Sequence, residues 1–524
     1  MSGRRATLRV AMALALLAAF PTGAHAMFTG LQTVSARTAA TSAAKSATVA
    51  CPAGKRVIGA GGDIAGGDGQ VSFDDIRPSS DLTTVTVRAA EDETGTTELW
   101  FVEAHAVCAP APAGLVRVTA TSPASSAAKV VTAACPSGKR ALGTGAEVTG
   151  SSQVVIDGIK PGIDLENVTV NAFEDGTGTT ASWSLTAYAI CADAVPGLER
   201  QVRTTATDAE WFKLHDAPCA SGKALVGVAG EINGGGGQVV MDALRPASET
   251  SAQLAAFEDD TGYAANWGLT TYAICAPVAT RRSAHEGTNS EPKKLDVYCN
   301  AGMSAAGAGW DIQNAAGEAW FNSIGPGQSA GAALTGNAED VSTRGWDATA
   351  FGICATTPAG YEVVSAPGAG EYDKYATATC PAGKAVIGAG ATTAGSGSRM
   401  VQRIAPSADL KSATVAVSVP ENAFATDWTL TGWAMCAAPL PGMQLVTRTS
   451  PSDGEELKLV TATCPAGKHL LGTGVSVGPI RGELVVDDLR PNADLTSVTA
   501  TVLADSSGIA GDWSAQAQAI CVSR

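Results

Sequence analysis

The residues of this chain with the most definite chemistry are its 12 cysteines, and their spacing says what that chemistry is. They fall into six pairs, Cys51/Cys108, Cys135/Cys191, Cys219/Cys275, Cys299/Cys354, Cys380/Cys436 and Cys464/Cys521, with partners 55 to 57 residues apart. Two thiols in each recurring segment, behind the export leader described below, read as disulfides and not as metal ligands. Closing a loop of that size stabilises the chain by about 4 kcal/mol on the chain-entropy account. Pairing between neighbouring segments, Cys108 with Cys135 and onward, also fits the spacing and would leave Cys51 and Cys521 to close a ring.

A tryptophan stands eight residues before the second cysteine of every pair: Trp100, Trp183, Trp267, Trp346, Trp428 and Trp513. Strand parity puts Trp183, Leu185, Ala187, Ala189 and Cys191 on one face, as a core ring beside a disulfide requires; sugar stacking is the other use of such a ring. On the opposite face, three residues before each closing cysteine, stand His105, Tyr188, Tyr272, Phe351, Trp433 and Gln518. That row suits a ligand platform or a contact with the following module. Gln518, in the copy with no successor, favours contact.

A third constellation is polar: Asp74-x-x-Arg77-Pro78, Asp157-x-x-Lys160-Pro161, Asp242-x-x-Arg245-Pro246 and Asp487-x-x-Arg490-Pro491, with Asn322/Gly325 and Gln402/Ala405 at the equivalent places. It reads as a local ion pair steadying a turn, or as a ligand site in four of six copies. Acidic corners at Glu91-Asp92, Glu174-Asp175 and Glu258-Asp259-Asp260 read as solvated hairpin turns, because the alternating carboxylates of a calcium loop are missing. Histidines 105, 215, 285 and 469 occupy four unrelated places. There is no His-Glu-x-x-His or Gly-x-Ser-x-Gly, and no Gly-Lys pair continues into Ser or Thr as a phosphate loop does. The expectation is no catalytic residue, no metal and no cofactor; a hydrolase assembled around His215 or His469 is the catalytic alternative.

These residues are positioned by a repeat. Cys-Pro-Ala-Gly-Lys, an apolar triplet and Gly-x-Gly recur at Cys51, Cys380 and Cys464, with Cys135 a near copy and Cys219 and Cys299 looser ones. After a leader over 1–26 the modules run 27–114, 115–197, 198–280, 281–360, 361–442 and 443–524. In 115–197, six runs predict strands: Leu115–Thr121, Lys129–Ala134, Arg140–Val148, Gln153–Ile159, Val168–Phe173 and Trp183–Cys191. Cys-Pro-x-Gly reads as a type I turn, and Gly143-Thr-Gly145 as a bulge or a close backbone approach. The fold class is all-β: six tandem antiparallel sandwich or barrel-like modules, each with one internal disulfide, or alternatively a six-bladed propeller-like ring. Module four is divergent, adding Trp310, Trp320 and Phe321. The polar joint 281–294 before it, with two basic pairs and no strand pattern, is expected to be the most protease-sensitive point.

The leader combines Arg4, Arg5 and Arg9, an apolar run over 10–20 and Ala24-His25-Ala26, the order of a secretory signal, with cleavage expected after Ala26. Without it the chain has 32 basic and 50 acidic residues, which disfavours nucleic acid or an anionic membrane as partner. No later stretch is apolar enough for a membrane helix.

The phrases Cys-Pro-Ala-Gly-Lys-x-x-x-Gly-x-Gly and Trp-x-Leu-x-Ala-Tyr-Ala-Ile-Cys resemble a cysteine-pair β module that recurs in secreted proteins of high-GC bacteria, especially actinobacteria. The resemblance covers 31–524, most weakly in module four. It implies location and architecture and carries over no catalytic residue. The expected function is a secreted, extracellular multivalent binding, adhesion or structural protein acting on a cell-surface or other extracellular ligand; a glycan-binding, lectin-like protein is the alternative within binding.

Overall fold

In a computed structural model the chain is described over residues 28–523, apart from 68, 93, 152, 260, 316, 328–331, 341–344, 421–426 and 481. The expected leader lies outside the described residues. Every element among them is a β-strand, and no helix is long and apolar enough to cross a membrane.

Module 1 contains β1 (Gln32–Arg37), β2 (Lys45–Ala50), β3 (Lys55–Ala65), β4 (Val71–Pro78), β5 (Thr84–Glu91) and β6 (Phe101–Pro110). Module 2 contains β7 (Val116–Thr121), β8 (Lys129–Ala134), β9 (Lys139–Thr149), β10 (Val154–Pro161), β11 (Asn167–Glu174) and β12 (Ser184–Asp193). Module 3 contains β13 (Glu199–Thr204), β14 (Phe212–Pro218), β15 (Lys223–Asn233), β16 (Val239–Ser248), β17 (Ser251–Glu258) and β18 (Gly268–Pro277). Alternating and β-branched runs make these strands as the sequence predicts, with ends shifted by one or two residues.

Each module is a small antiparallel sandwich. In module 1 the triplet β1-β6-β3 faces β4-β5-β2, and Trp100, Val102, Ala104, Ala106 and Cys108 are buried between them. All six disulfides close within modules: Cys51–Cys108, Cys135–Cys191, Cys219–Cys275, Cys299–Cys354, Cys380–Cys436 and Cys464–Cys521. Each joins the end of the second strand to the last one, so each staple ties one layer to the other. The alternative pairing between neighbours is thereby corrected. Cys275 is bonded to Cys219 and not to Cys299, Cys354 to Cys299 and not to Cys380, and Cys436 to Cys380 and not to Cys464. The physical reason is that the opening and closing cysteines of one module face each other across its own core, with Cα atoms 5.5 to 5.8 Å apart, the separation a disulfide spans. The turn beside the staple sits one residue later than the sequence reading. Lys55 N–H donates to Pro52 O at 3.0 Å, with Gly54 at φ +82 in the third place, a conformation that favours glycine.

The modules are not separate beads, because every sheet is shared. β4 pairs with β9, β10 with β15, and β16 with β3, so the half-sheets of modules 1, 2 and 3 join end to end into three six-stranded sheets that close a ring. Modules 4, 5 and 6 close a second ring through Ala319–Pro326 with Ala385–Ala394, Met400–Pro406 with Lys468–Gly478, and Met303–Gln313 with Leu484–Pro491. Two closed triplets therefore replace the six-bladed ring. The Gly-x-Gly phrase allows closure: a Cβ on Gly59 would collide with Val226 O, one on Gly227 with Leu142 O and one on Gly143 with Ile58 O, all under 3.0 Å. The residue before each of these glycines is bulged out of the ladder, so both meanings read from the phrase hold at once.

The bulged Ile58, Leu142 and Val226 gather with Val107, Ile274 and Val278 in one apolar cluster at the middle of the first triplet, and Phe28 packs into it. The extra aromatics of module four fill the second triplet. Trp310 and Phe321 lie 5.5 Å apart in its core, and Trp320 packs with Met400 and Val485. The joint before module four is corrected too. It forms β19 (Ala279–Asn289), which pairs with Trp346–Thr356 along most of its length and starts before the boundary at 280/281. The sequence concealed this strand because it lies on a sheet edge, where polar side chains face water.

Candidate functional site

Three kinds of polar constellation stand on this frame. The first surrounds the repeated tryptophan. Trp100, Trp183, Trp267, Trp346 and Trp513 are completely buried and Trp428 nearly so, as core rings. The closing cysteines on the same strands, Cys108, Cys191, Cys275, Cys354, Cys436 and Cys521, are also completely buried, and with every cysteine in a disulfide none offers a thiol to a ligand. Glu91, Glu174 and Glu258 accept the indole N–H of Trp100, Trp183 and Trp267 at 2.8, 3.2 and 2.9 Å, so the glutamate of each acidic corner is already engaged. A lysine lies over each ring: Lys45, Lys129, Lys213, Lys293, Lys374 and Lys458, with Nζ 3.0 to 5.1 Å from the ring centre. Sequence reasoning missed these lysines, although each stands six residues before an opening cysteine.

The second constellation is the module junction, where two of the predicted rows meet. Tyr188 OH donates to Glu147, and Glu147 pairs with Arg77 of module 1 at 3.0 Å; Arg117 lies over the Tyr188 ring and donates to Pro78 O. Tyr272 repeats this with Glu231, Lys160 of module 2 and Arg200. Arg490 pairs with Asp311 beside Phe351, and Arg245 with Asp63 beside His105. Where Thr392 and Ser476 replace the acid, Gly325 and Ala405 replace the cation, and Trp433 donates to Thr392 instead. The row thus packs against the preceding module of its closed triplet, not the following one, with Trp433 half-buried and the others buried. Gln518 also has such a neighbour, with Arg403 of module 5 bonded to Ser476 beside it. Likewise the arginines and lysines of the Asp-x-x-Arg phrase reach across a junction and do not merely steady their own turn; Arg77 also approaches an acid of its own strand, Asp75 at 3.9 Å.

The aspartates of that phrase sit at bulges. Burial pushes the Asp157 carboxyl up to about 7, against the hydrogen bond from Asn171 Nδ2 and with the Glu231 carboxylate. Burial, with Asp488 and Asp311 nearby, pushes Asp487 up to about 8, and burial also raises Asp74. Asp242 lines a surface groove. An acid whose folded pKa exceeds its unfolded value of about 3.9 holds its proton in the fold, so the stability it confers is complete below about pH 4 and is lost as pH rises through about 7. Asp157→Asn keeps the bond to Asn171 and removes that dependence. The variant should be more stable than the native protein at pH 8, on the order of 2 kcal/mol, and similar at pH 4. Thermal midpoints at the two pH values measure this, and equal pH slopes for the two proteins would refute it.

The acidic corners gather at one end of the first triplet, where Asp92, Asp175 and Asp259 line a common pocket with Thr94, Thr177 and Thr261. Each aspartate Oδ1 accepts the backbone N–H and hydroxyl of the threonine two residues on, which makes these corners turns, as expected. His215 meets Thr271 Oγ1 at 3.3 Å, His285 meets Thr349 Oγ1 at 3.0 Å, and His469 is fully buried.

The third constellation is a groove where β3 of module 1 meets the β16, β17 and β14 strands of module 3. Asp63, Asp242, Arg245 and Gln253 line it together with Phe212, Leu214 and Phe257. Trp211, 59% exposed, packs beside it with its ring tilted and 5.5 Å from Phe257, and Phe212 and Phe257 lie 4.4 Å apart. Asp242 and Arg245 of the repeated Asp-x-x-Arg phrase mark one wall, but the two walls come from modules that are not adjacent in sequence, so the phrase does not reveal the groove. No protein-family model matches the chain, and no curated protein is similar to it.

Proposed function

We propose that the protein is a secreted, non-catalytic binding protein, and that its ligand is a glycan held in the groove between modules 1 and 3. The carrying observation is exposed Trp211, packed with half-buried Phe212 and Phe257, next to Asp242, Arg245 and Gln253. Aromatic faces cover the C–H faces of sugar rings, while a carboxylate, a guanidinium and an amide bind neighbouring hydroxyls. The repeated candidate rows are engaged at junctions, so the reading rests on this one groove and not on avidity. Six disulfides fit an oxidising compartment, and Phe28, just after the expected cleavage point, is packed in the first triplet, which suits a chain processed there.

A glycan array and cell-wall fractions should identify a binder, and Trp211→Ala should weaken it about tenfold in calorimetry with the fold unchanged. Undiminished binding by that variant, or no binder on either screen, defeats the proposal.

A further inference from the structure

The junctions of module 1 with module 2 and of module 2 with module 3 share one design, and the junction between modules 3 and 1 departs from it. At the register position of Asp63, Glu147 and Glu231 an acid receives the cation of the preceding module. Directly across the strand pair stand Glu103, Thr186 and Thr270, and two residues on stand His105, Tyr188 and Tyr272. In modules 2 and 3 the phenol donates to the acid and the threonine is neutral, so one carboxylate meets one cation.

Module 1 changes both partners together. Glu103 adds a second carboxylate, and His105 brings an imidazole where a phenol would donate. The ligand atoms of Asp63, Glu103 and His105 all lie within 4.8 Å of one another. His105 is only 7% exposed, and its Nε2 has no hydrogen-bond partner. Arg245 reaches Asp63, through Oδ1 at 3.3 Å, and Arg37, opposite Glu103, lies over the Phe101 ring. Two carboxylates thus face a single junction arginine, with a buried nitrogen lone pair beside them.

We infer that Asp63, Glu103 and His105 form a site for one divalent transition-metal ion of the zinc class, placed at the junction that closes the first triplet. One nitrogen and two carboxylate ligands suit such an ion, which takes three protein ligands and leaves a position for water. Burial, against the Glu103 carboxylate, lowers the His105 pKa and favours the neutral imidazole that binds metal. Asp63 also lines the surface groove, which supplies an entry path. The ligands come from β3 and β6 of module 1, while Arg245 of module 3 pairs with Asp63. The ion therefore neutralises the excess acid at a joint between modules far apart in sequence.

The test uses the mature chain freed of metal with EDTA and titrated with zinc chloride, followed by calorimetry and metal analysis. His105→Tyr and Glu103→Thr install the pair that modules 2 and 3 already carry, so both variants should fold. The native chain should bind one equivalent and gain thermal stability from it, each variant should bind at least tenfold more weakly, and cobalt should give a visible spectrum with the native chain alone. No bound equivalent in the native chain, or undiminished binding in both variants, overturns the inference. Loss of glycan binding in Trp211→Ala leaves this result untouched, so the two readings fail separately.

Discussion

Replacing Gly227 by Val should prevent the first triplet from closing, at a cost of at least about 3 kcal/mol. The glycine faces the carbonyl of Leu142, Gly143 faces that of Ile58, and Gly59 that of Val226, so three strands approach each other backbone to backbone around the ring. Any side chain there meets a carbonyl oxygen held in a sheet, which cannot turn aside as a flexible side chain would. Gly138 gives the contrast: it lies at φ +81 with nothing within 4 Å of its virtual Cβ, so Gly138→Ala should cost only the backbone strain, about 1 kcal/mol. Thermal melting and small-angle scattering measure both variants. A Gly227→Val protein with native midpoint and radius would show that the close approach is not what holds the ring together.

The double variant Cys135→Ala/Cys191→Ala should lose about 4 kcal/mol, and modules 1, 2 and 3 should all feel it. Independent beads would confine the loss to module 2. Here module 2 supplies half of two sheets, through β4–β9 and β10–β15, and one continuous core runs through all three modules. A separate core fills modules 4 to 6. Hydrogen exchange should therefore quicken in the strands of modules 1 and 3 along with those of module 2, while module 5 keeps its protection. Calorimetry of the native protein should likewise resolve two transitions. Faster exchange restricted to 115–197 would show that sharing sheets does not couple the modules.

The sequence by itself determined the local design. Period-two alternation in Lys129–Ala134, buried and exposed by turns, marked β8 as a strand with one wet face. The Trp–Cys spacing placed Trp183 and Cys191 on one core face, and the two-per-module count of cysteines favoured the closure within modules that Cys219–Cys275, Cys299–Cys354 and Cys380–Cys436 make. Such features depend on residues close in sequence or on fixed strand parity, which is why they were legible. The lysine over each tryptophan is equally regular, six residues before each opening cysteine, but the spacing alone does not show that it reaches the ring.

Only the tertiary structure decided which surface of each module stays wet. Thr186, Tyr188, Ile190 and Ala192 alternate with the core residues of β12 and would face solvent in an isolated sandwich, yet all are buried. Their burial comes from ring closure, and that depends on strands such as β3 and β16, which are more than a hundred residues apart and pair at only two positions. So short a pairing leaves no periodic trace in the sequence. The groove beside Trp211 stands at this closure, where Asp63 of module 1 meets Asp242 and Arg245 of module 3, and the cluster at His105, held within module 1, lies against the same joint.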